Sequence, residues 1–166
     1  MTRVALALTP KAVVLTVNSG RKFGLTVEGG LTGDVVWSVL EPGGGVVDAT
    51  GDYRAPATPG TFTVQVASLE DAAVKESAEV RVVLPPRGPV KGPGRVLAHA
   101  KDLRASVPDQ PGCAYAWTLT GGVISSGGDS QMVVFEAGEG PVLTMVCEVR
   151  NEAGETFRST LEVPVN

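Results

Sequence analysis

Hydrophobic residues in this chain recur at every second position, in short runs. Val4, Leu6 and Leu8 share one parity, and after Pro10 the set Val13, Leu15, Val17 takes up another. The turn residues Asn18-Ser19-Gly20 precede Phe23, Leu25 and Val27, and Gly29-Gly30 ends that run. Val35, Trp37 and Val39 form the next, stopped by Glu41-Pro42 and three consecutive glycines. A period of two puts successive side chains on opposite faces of a strand, so each run predicts a half-buried β-strand. Short strand pieces are predicted near Val46-Val47 and Tyr53.

The stretch at 51–60, GDYRAPATPG, punctuates this pattern. Gly51 and Asp52 suit a turn, Pro56 and Pro59 remove backbone donors, and Gly60 tolerates unusual dihedrals. Such a stretch is not expected in a central strand. It suits a crossing from one sheet of a sandwich to the other. Residues 61–68 then alternate, with Phe62, Val64 and Val66 inward. Ser68 with Asp71 resembles a helix capping arrangement, but Ala78, Val80, Val82 and Leu84 alternate, so the reading is a turn followed by a strand.

Residues 85–94, PPRGPVKGPG, hold four prolines and three glycines and read as a semi-rigid linker. Beyond it Leu103, Ala105, Val107 alternate, as do Tyr115, Trp117, Leu119, with Pro108 to Gly112 between them as a turn. Gly121-Gly122 and Gly127-Gly128 mark turns, and a strand is expected around 132–135. Leu143, Met145, Cys147 and Val149 form the longest inner face. A compact loop at 151–154 leads to Phe157, Ser159, Leu161, Val163 and Val165.

The halves echo each other. Trp37-Ser38-Val39 matches Trp117-Thr118-Leu119 at an offset of 80, and the Phe62, Val64, Val66 face matches Leu143, Met145, Cys147 at 81. One Trp on a middle strand, followed by a long alternating strand, is the pattern of an immunoglobulin-like sandwich. The expected fold is all-β: two tandem immunoglobulin-like β-sandwiches over 1–84 and 95–166, joined by the 85–94 linker.

Composition agrees with many short strands and tight turns: 166 residues include 21 Gly and 12 Pro, and Val is abundant. Net charge is −4, with 7 basic and 9 acidic residues in 1–84, two basic ones in 85–94, and 5 basic and 9 acidic in 95–166. No basic face emerges, which argues against a nucleic-acid partner. No apolar run is long enough to insert in a membrane. The start, MTRVALALTPKAVVLTV, is interrupted by Pro10 and Lys11 and alternates, so it reads as two strand pieces instead of a secretion signal.

Residues 1–84 resemble bacterial Ig-like domains of the Big type. The likeness lies in LTPKAVVLTVNSGRKFGLTV, VVWSV and GDYRAPATPGTFTVQVASLED, followed by a valine-rich strand. The second half resembles PKD-like Ig domains, through AYAWTLTGGVISSG and FEAGEGPVLTMVCEVRNEAGE. It departs from them in its cysteines and in the residues after Trp117. Both resemblances imply mostly non-catalytic spacers, adhesive modules or virion decorations. They transfer no binding residues.

Candidate chemistry is sparse. His99 is the sole histidine and reads as a partly exposed strand residue, which leaves a triad or His-rich metal site without a second member. Gly128-Asp129-Ser130 superficially resembles a serine-protease nucleophile segment, but Gln131-Met132 follow, so it reads as a polar hairpin loop. Cys147 occupies the place of Val66 and reads as a small buried apolar residue. Cys113 shares the parity of Trp117, and a Cys113–Cys147 bridge across 34 residues is conceivable, contributing about 3–4 kcal/mol by loop entropy. Two free thiols are the favoured alternative, given the missing signal peptide. Glu70-Asp71 and Asp48 with Asp52 match no Ca²⁺-site spacing and read as solvated carboxylates. Both Trp are assigned to cores, which leaves no aromatic platform for glycans.

No catalytic, cofactor-binding or metal residue is therefore assigned. The expected role is non-catalytic and protein-binding, first as a decoration or accessory structural component of a phage-like particle. The partners would be copies of itself, capsid or tail proteins, or cell-surface proteins. A bacterial adhesin fragment, or a spacer or carbohydrate-binding module of an extracellular enzyme, is the alternative. The expected location is a virion exterior or a cell surface.

Overall fold

The computed structural model describes residues 5–29 and 34–166. Val4 and Gly30, placed above in a strand and at its end, lie outside the described residues. The chain divides into two compact units, Met1–Leu84 and Pro85–Asn166.

Unit 1 is built from β1 (Ala5–Thr9), β2 (Ala12–Thr16), β3 (Gly20–Lys22), β4 (Gly24–Glu28), β5 (Val35–Val39), β6 (Val46–Val47), β7 (Asp52–Arg54), β8 (Gly60–Ser68) and β9 (Lys75–Val83). One layer holds β1 paired with β4, and β3-β7-β6; the other holds β2-β9-β8-β5. β3 and β4 form one path broken only at Phe23. The first segment also changes layers. β1 runs antiparallel to β4, the chain turns at Pro10, and β2 then runs parallel to β9 in the opposite layer.

The alternation explains the core. Leu6, Leu8, Val64, Val66, Val80 and Val82 bury themselves between the layers. The largest fully buried side chains of this unit are Tyr53 and Phe23, set edge to face with ring centroids 6.2 Å apart. Trp37 is only half buried and packs against the margin of the core. The indole expected to fill unit 1 is thus displaced by a tyrosine.

The 51–60 stretch differs from expectation in one respect. Asp52–Arg54 is the middle strand of β3-β7-β6. It can be, because both prolines fall after Arg54 and the strand keeps its donors. Residues 55–59 then carry the chain from that layer to β8 in the other. At 68–74 the turn reading holds. The Ser68 hydroxyl accepts the amides of Glu70 (3.1 Å) and Asp71 (3.3 Å), Asp71 accepts that of Ala73 (3.0 Å), and β9 follows.

Unit 2 contains β10 (Leu103–Ser106), β11 (Ala114–Thr120), β12 (Gly122–Ser126), β13 (Met132–Ala137), β14 (Val142–Arg150) and β15 (Thr156–Pro164). Its layers are β10-β13-β12 and β11-β14-β15. β12 is absent from the sequence reading. It is an edge strand with Val123 exposed and a register shift between Ile124 and Ser126, so its alternation is lost.

Residues 85–94, expected as a linker, are built into unit 2. Val90 is buried in its core, and Lys91 bridges antiparallel to Ser106. The Val90 amide donates to the Ser159 hydroxyl at 3.0 Å. Val96 bridges parallel to Val165, so this opening segment also visits both layers, as β1 and β2 do. Proline cannot donate to a ladder, and side chains take over. The Gln110 amide accepts from the Arg87 N–H at 2.7 Å and donates to the Arg87 carbonyl at 2.9 Å.

The internal repeat has a structural counterpart. Trp37 lies opposite Val66 on β8, and Trp117 lies opposite Cys147 on β14.

Candidate functional site

The residues singled out for chemistry do not come together. His99 lies in a turn, not a strand, with φ 62° and its side chain 70% exposed; Nε2 is 4.0 Å from the still more exposed Glu139. The strand path ends there because the Ala98 amide bonds Asn166 and the Ala100 amide closes a turn on Leu97. Among the described residues no group of three or more His, Cys, Asp or Glu is placed to hold a metal ion. Among the described residues no helix is long and apolar enough to cross a membrane.

Strand register decides the cysteine question. Ala114 pairs with Arg150, whereas Cys147 pairs with Trp117, four residues from Cys113 along the strand. At about 3.3 Å per residue that offset is roughly 13 Å, beyond the ~7 Å Cα separation a disulfide spans. Both thiols are free. Burial pushes the Cys147 thiol up to about 11. The Cys113 thiol is raised by burial and, secondarily, by the charge of Glu152.

Gly128-Asp129-Ser130 forms the hairpin loop between β12 and β13 and has a structural task. The Trp117 amide donates to the Gly128 carbonyl at 2.9 Å, and its indole N–H to the Ser130 carbonyl at 2.7 Å. The loop thereby closes the outer edge of β11 at its centre. Trp117 is 6% exposed.

Unit 1 uses its corresponding loop differently. Asp48 accepts from the Thr50 hydroxyl at 2.6 Å, the Thr50 amide at 2.8 Å and the Asp52 amide at 3.1 Å. These bonds, the Thr50 hydroxyl first, hold its carboxyl below the usual range, with a smaller contribution from Lys22. Asp48 is exposed, as expected for a solvated carboxylate, and it also closes its loop as an acceptor. Just inside, the Tyr53 hydroxyl donates to the Gly44 carbonyl at 2.6 Å. Burial, helped by the charge of Glu41, raises this phenol to about 12.

Two surface features remain. A shallow groove of about 340 Å³ crosses β3, β7 and β6, with Gly20 leaving a notch beside Arg54 and Val46, and Asp48 and Asp52 at its rim. Of its polar side chains, Asp48 and Tyr53 are already hydrogen-bonded within the unit. The second feature is the outer edge of β5. The Leu40 amide bonds the Thr63 carbonyl, and the Leu69 amide bonds the Asp34 carbonyl. The even-numbered residues of this strand thus face β8, and the backbone N–H and C=O of Val35, Trp37 and Val39 face away. Among the described residues none of those three amides has a partner, and β6 belongs to a different sheet. On the outer face of this strand Val36 (50% exposed) and Leu40 (53%) stand on either side of Ser38, and Leu69 (66%) is exposed on the segment that continues β8.

The strand edge and the closing roles of Tyr53 and Gln110 escaped the sequence reading. Gln110 had a signal, since it stands between Pro108 and Pro111, where backbone donors are scarce.

No protein-family model matches the chain. No curated protein matches it. Solved structures do. The C-terminal 282-residue fragment of intimin, in complex with the translocated intimin receptor's intimin-binding domain, superposes with a TM-score of 0.57 at 14% identity, covering 99% of this chain and 64% of that one. The three N-terminal domains of the bacteriophage RB49 highly immunogenic outer capsid protein (Hoc) give 0.54 at 14% identity, covering 99% and 70%. The N-terminal four Ig domains of Dscam1 give 0.51 at 12% identity, covering 98% and 46%. Both units are immunoglobulin-like β-sandwiches. With the Ig-like fold established, the layer change of each first segment, and the Trp facing the long central strand, belong to one architecture used twice.

Proposed function

We propose that this tandem Ig-like protein is a non-catalytic binding and structural component, displayed on the outside of a phage-like particle. The observation that carries the reading is the surface of unit 1. An Ig-like sandwich offers a strand edge whose outward amides have no partner among the described residues, with Val36 and Leu40 exposed on the strand, and the residues singled out for chemistry do not come together. That is equipment for holding another protein, not for turning over a substrate. The likeness to the N-terminal domains of a phage outer capsid protein supports the particle as the setting. A bacterial surface adhesin is the second reading, supported by the likeness to an intimin fragment bound to a receptor domain.

Gradient-purified particles from the source culture, probed with an antibody against this chain, test the proposal. The expected result is that the chain bands with intact particles and is accessible to antibody without disruption. Recovery in the cell-envelope fraction alone overturns the particle reading in favour of the adhesin.

A further inference from the structure

We propose that the outer face of the β11-β14-β15 layer packs against the same face of a second copy of this chain, with Arg158 of each copy over Glu162 of the other. The inference goes beyond the reading above. It concerns the contact of the chain with itself, whether on a particle or on a cell.

Strand alternation defines the face. Trp117, Met145, Cys147 and Ser159 are buried inside unit 2, so the even-numbered residues of the three strands point outward. The register lays these residues in rows across the sheet. Thr118, Val146 and Thr160 form the middle row. Ala116, Glu148 and Arg158 form the row on one side of it, and Thr120, Thr144 and Glu162 the row on the other.

Two properties of the face select a copy of itself. The first is its uncharged middle. The middle row carries no charge, and neither does any outward residue of β11, all of which are alanine or threonine. Such small side chains let a second sheet approach to the spacing of about 10 Å at which sheets stack. The second is self-complementary charge. Arg158 and Glu162 are exposed, stand one row to either side of the middle on the same strand, and are in no ion pair among the described residues. A two-fold axis running along the middle row therefore sets Arg158 over Glu162 of the second copy, twice, with Val146 over Val146 at the centre. The other two-fold axis, along β14, stacks Glu148 on Glu148, which like charge disfavours. A partner of a single charge sign meets one opposite and one like charge on β15.

Size sets the strength. Three strands about 4.8 Å apart, with nine residues in β14 at about 3.3 Å each, give a face of roughly 400 Å². That is about half of the ~800 Å² that each partner gives to a standard interface. Free chains therefore pair weakly, and copies fixed side by side on one surface gain from their high local concentration.

A dilution series of the isotope-labelled full chain, from millimolar to micromolar, tests the proposal. The amides of Thr118, Val146 and Thr160 are expected to shift with concentration, and sedimentation to show a dimer at the upper end. Glu162→Arg should raise the dissociation constant about tenfold. Adding Arg158→Glu exchanges the two signs and should recover most of the loss, a rescue that a general weakening of the fold does not give. The same spectra report whether each variant is folded. Shifts absent at millimolar concentration, shifts confined to unit 1, or an exchange variant as weak as Glu162→Arg alone overturns the proposal. If the chain bands with particles but does not self-associate, this inference falls and the particle reading stands. If it self-associates but is recovered only with the cell envelope, the reverse holds.

Discussion

Unit 1 and unit 2 share a fold and differ in how they finish it. At the matching Trp, unit 2 draws a hairpin loop over the strand edge and buries the indole, whereas unit 1 leaves the edge open and the indole half covered. Unit 1 fills its centre with Tyr53 and Phe23. The polar clamps differ too. Unit 2 uses the neutral amides of Gln110, Gln131 and Asn151, while unit 1 uses the carboxylates of Glu41 and Asp48. A shared architecture therefore fixes the layers and the strand order but not the means of closing a loop or an edge. Those means determine which unit closes its loops with titratable groups.

The largest expected effect comes from the two tryptophans. Trp117→Ala removes a buried side chain and its bond to Ser130, and should destabilise unit 2 by about 3–5 kcal/mol. Trp37→Ala removes an indole that water already reaches, and should cost unit 1 about 1–3 kcal/mol. Hydrogen exchange on the intact chain, resolved by peptide, measures both. Equal costs would mean that the partial exposure of Trp37 does not distinguish the units.

Gln110→Ala is next. Gln110 is buried and bonds the Arg87 N–H and carbonyl and the Pro108 carbonyl at 2.7–2.9 Å. Its loss leaves those groups without partners, for a cost of about 2–3 kcal/mol. Exchange protection should vanish first at the Arg87 and Lys91 amides. Unchanged protection there would show that residues 85–94 are held by Val90 and Ser159 without the clamp.

These cases also mark what the sequence reveals. The alternation of Phe62, Val64, Val66 and of Leu143, Met145, Cys147 identifies the central strands because burial there is strictly one-sided. Gly122–Ser126 escapes because an edge strand has little to bury. Residues 85–94 look like a linker because proline and glycine content describes lost backbone donors. It does not describe side chains elsewhere that replace them, and Gln110 lies 23 residues from Arg87. Tyr53 hides in a three-residue strand too short to show a period. The candidate site is harder still. An open edge is a property of what fails to pair, and the sequence of β5 differs little from that of β11, whose edge is closed by a distant loop.

The smallest expected effect is on pH, and it sharpens the same contrast. Glu41 and Asp48 both have carboxyls lowered from their ordinary values, Glu41 chiefly by the Thr63 amide and Asp48 chiefly by the Thr50 hydroxyl. A lowered folded-state pKa contributes stability that is fully present above the unfolded value, near about 4. That stability is lost as pH falls through the folded value. From pH 7 to 5 these two groups should leave unit 1 unchanged, and below about pH 4 they should weaken it. The amides of Gln110, Gln131 and Asn151 do not titrate in this range and contribute no such slope to unit 2. The chain has two Trp, Trp37 in unit 1 and Trp117 in unit 2, so fluorotryptophan labelling gives each unit its own resonance during denaturant unfolding. The midpoint reported by Trp37 should fall between pH 5 and pH 3. Asp48→Asn keeps an acceptor oxygen without the charge, and combined with Glu41→Gln it should flatten that fall. An undiminished acid response in the double variant would assign it to other carboxylates and remove the carboxylate clamps as the source of the difference.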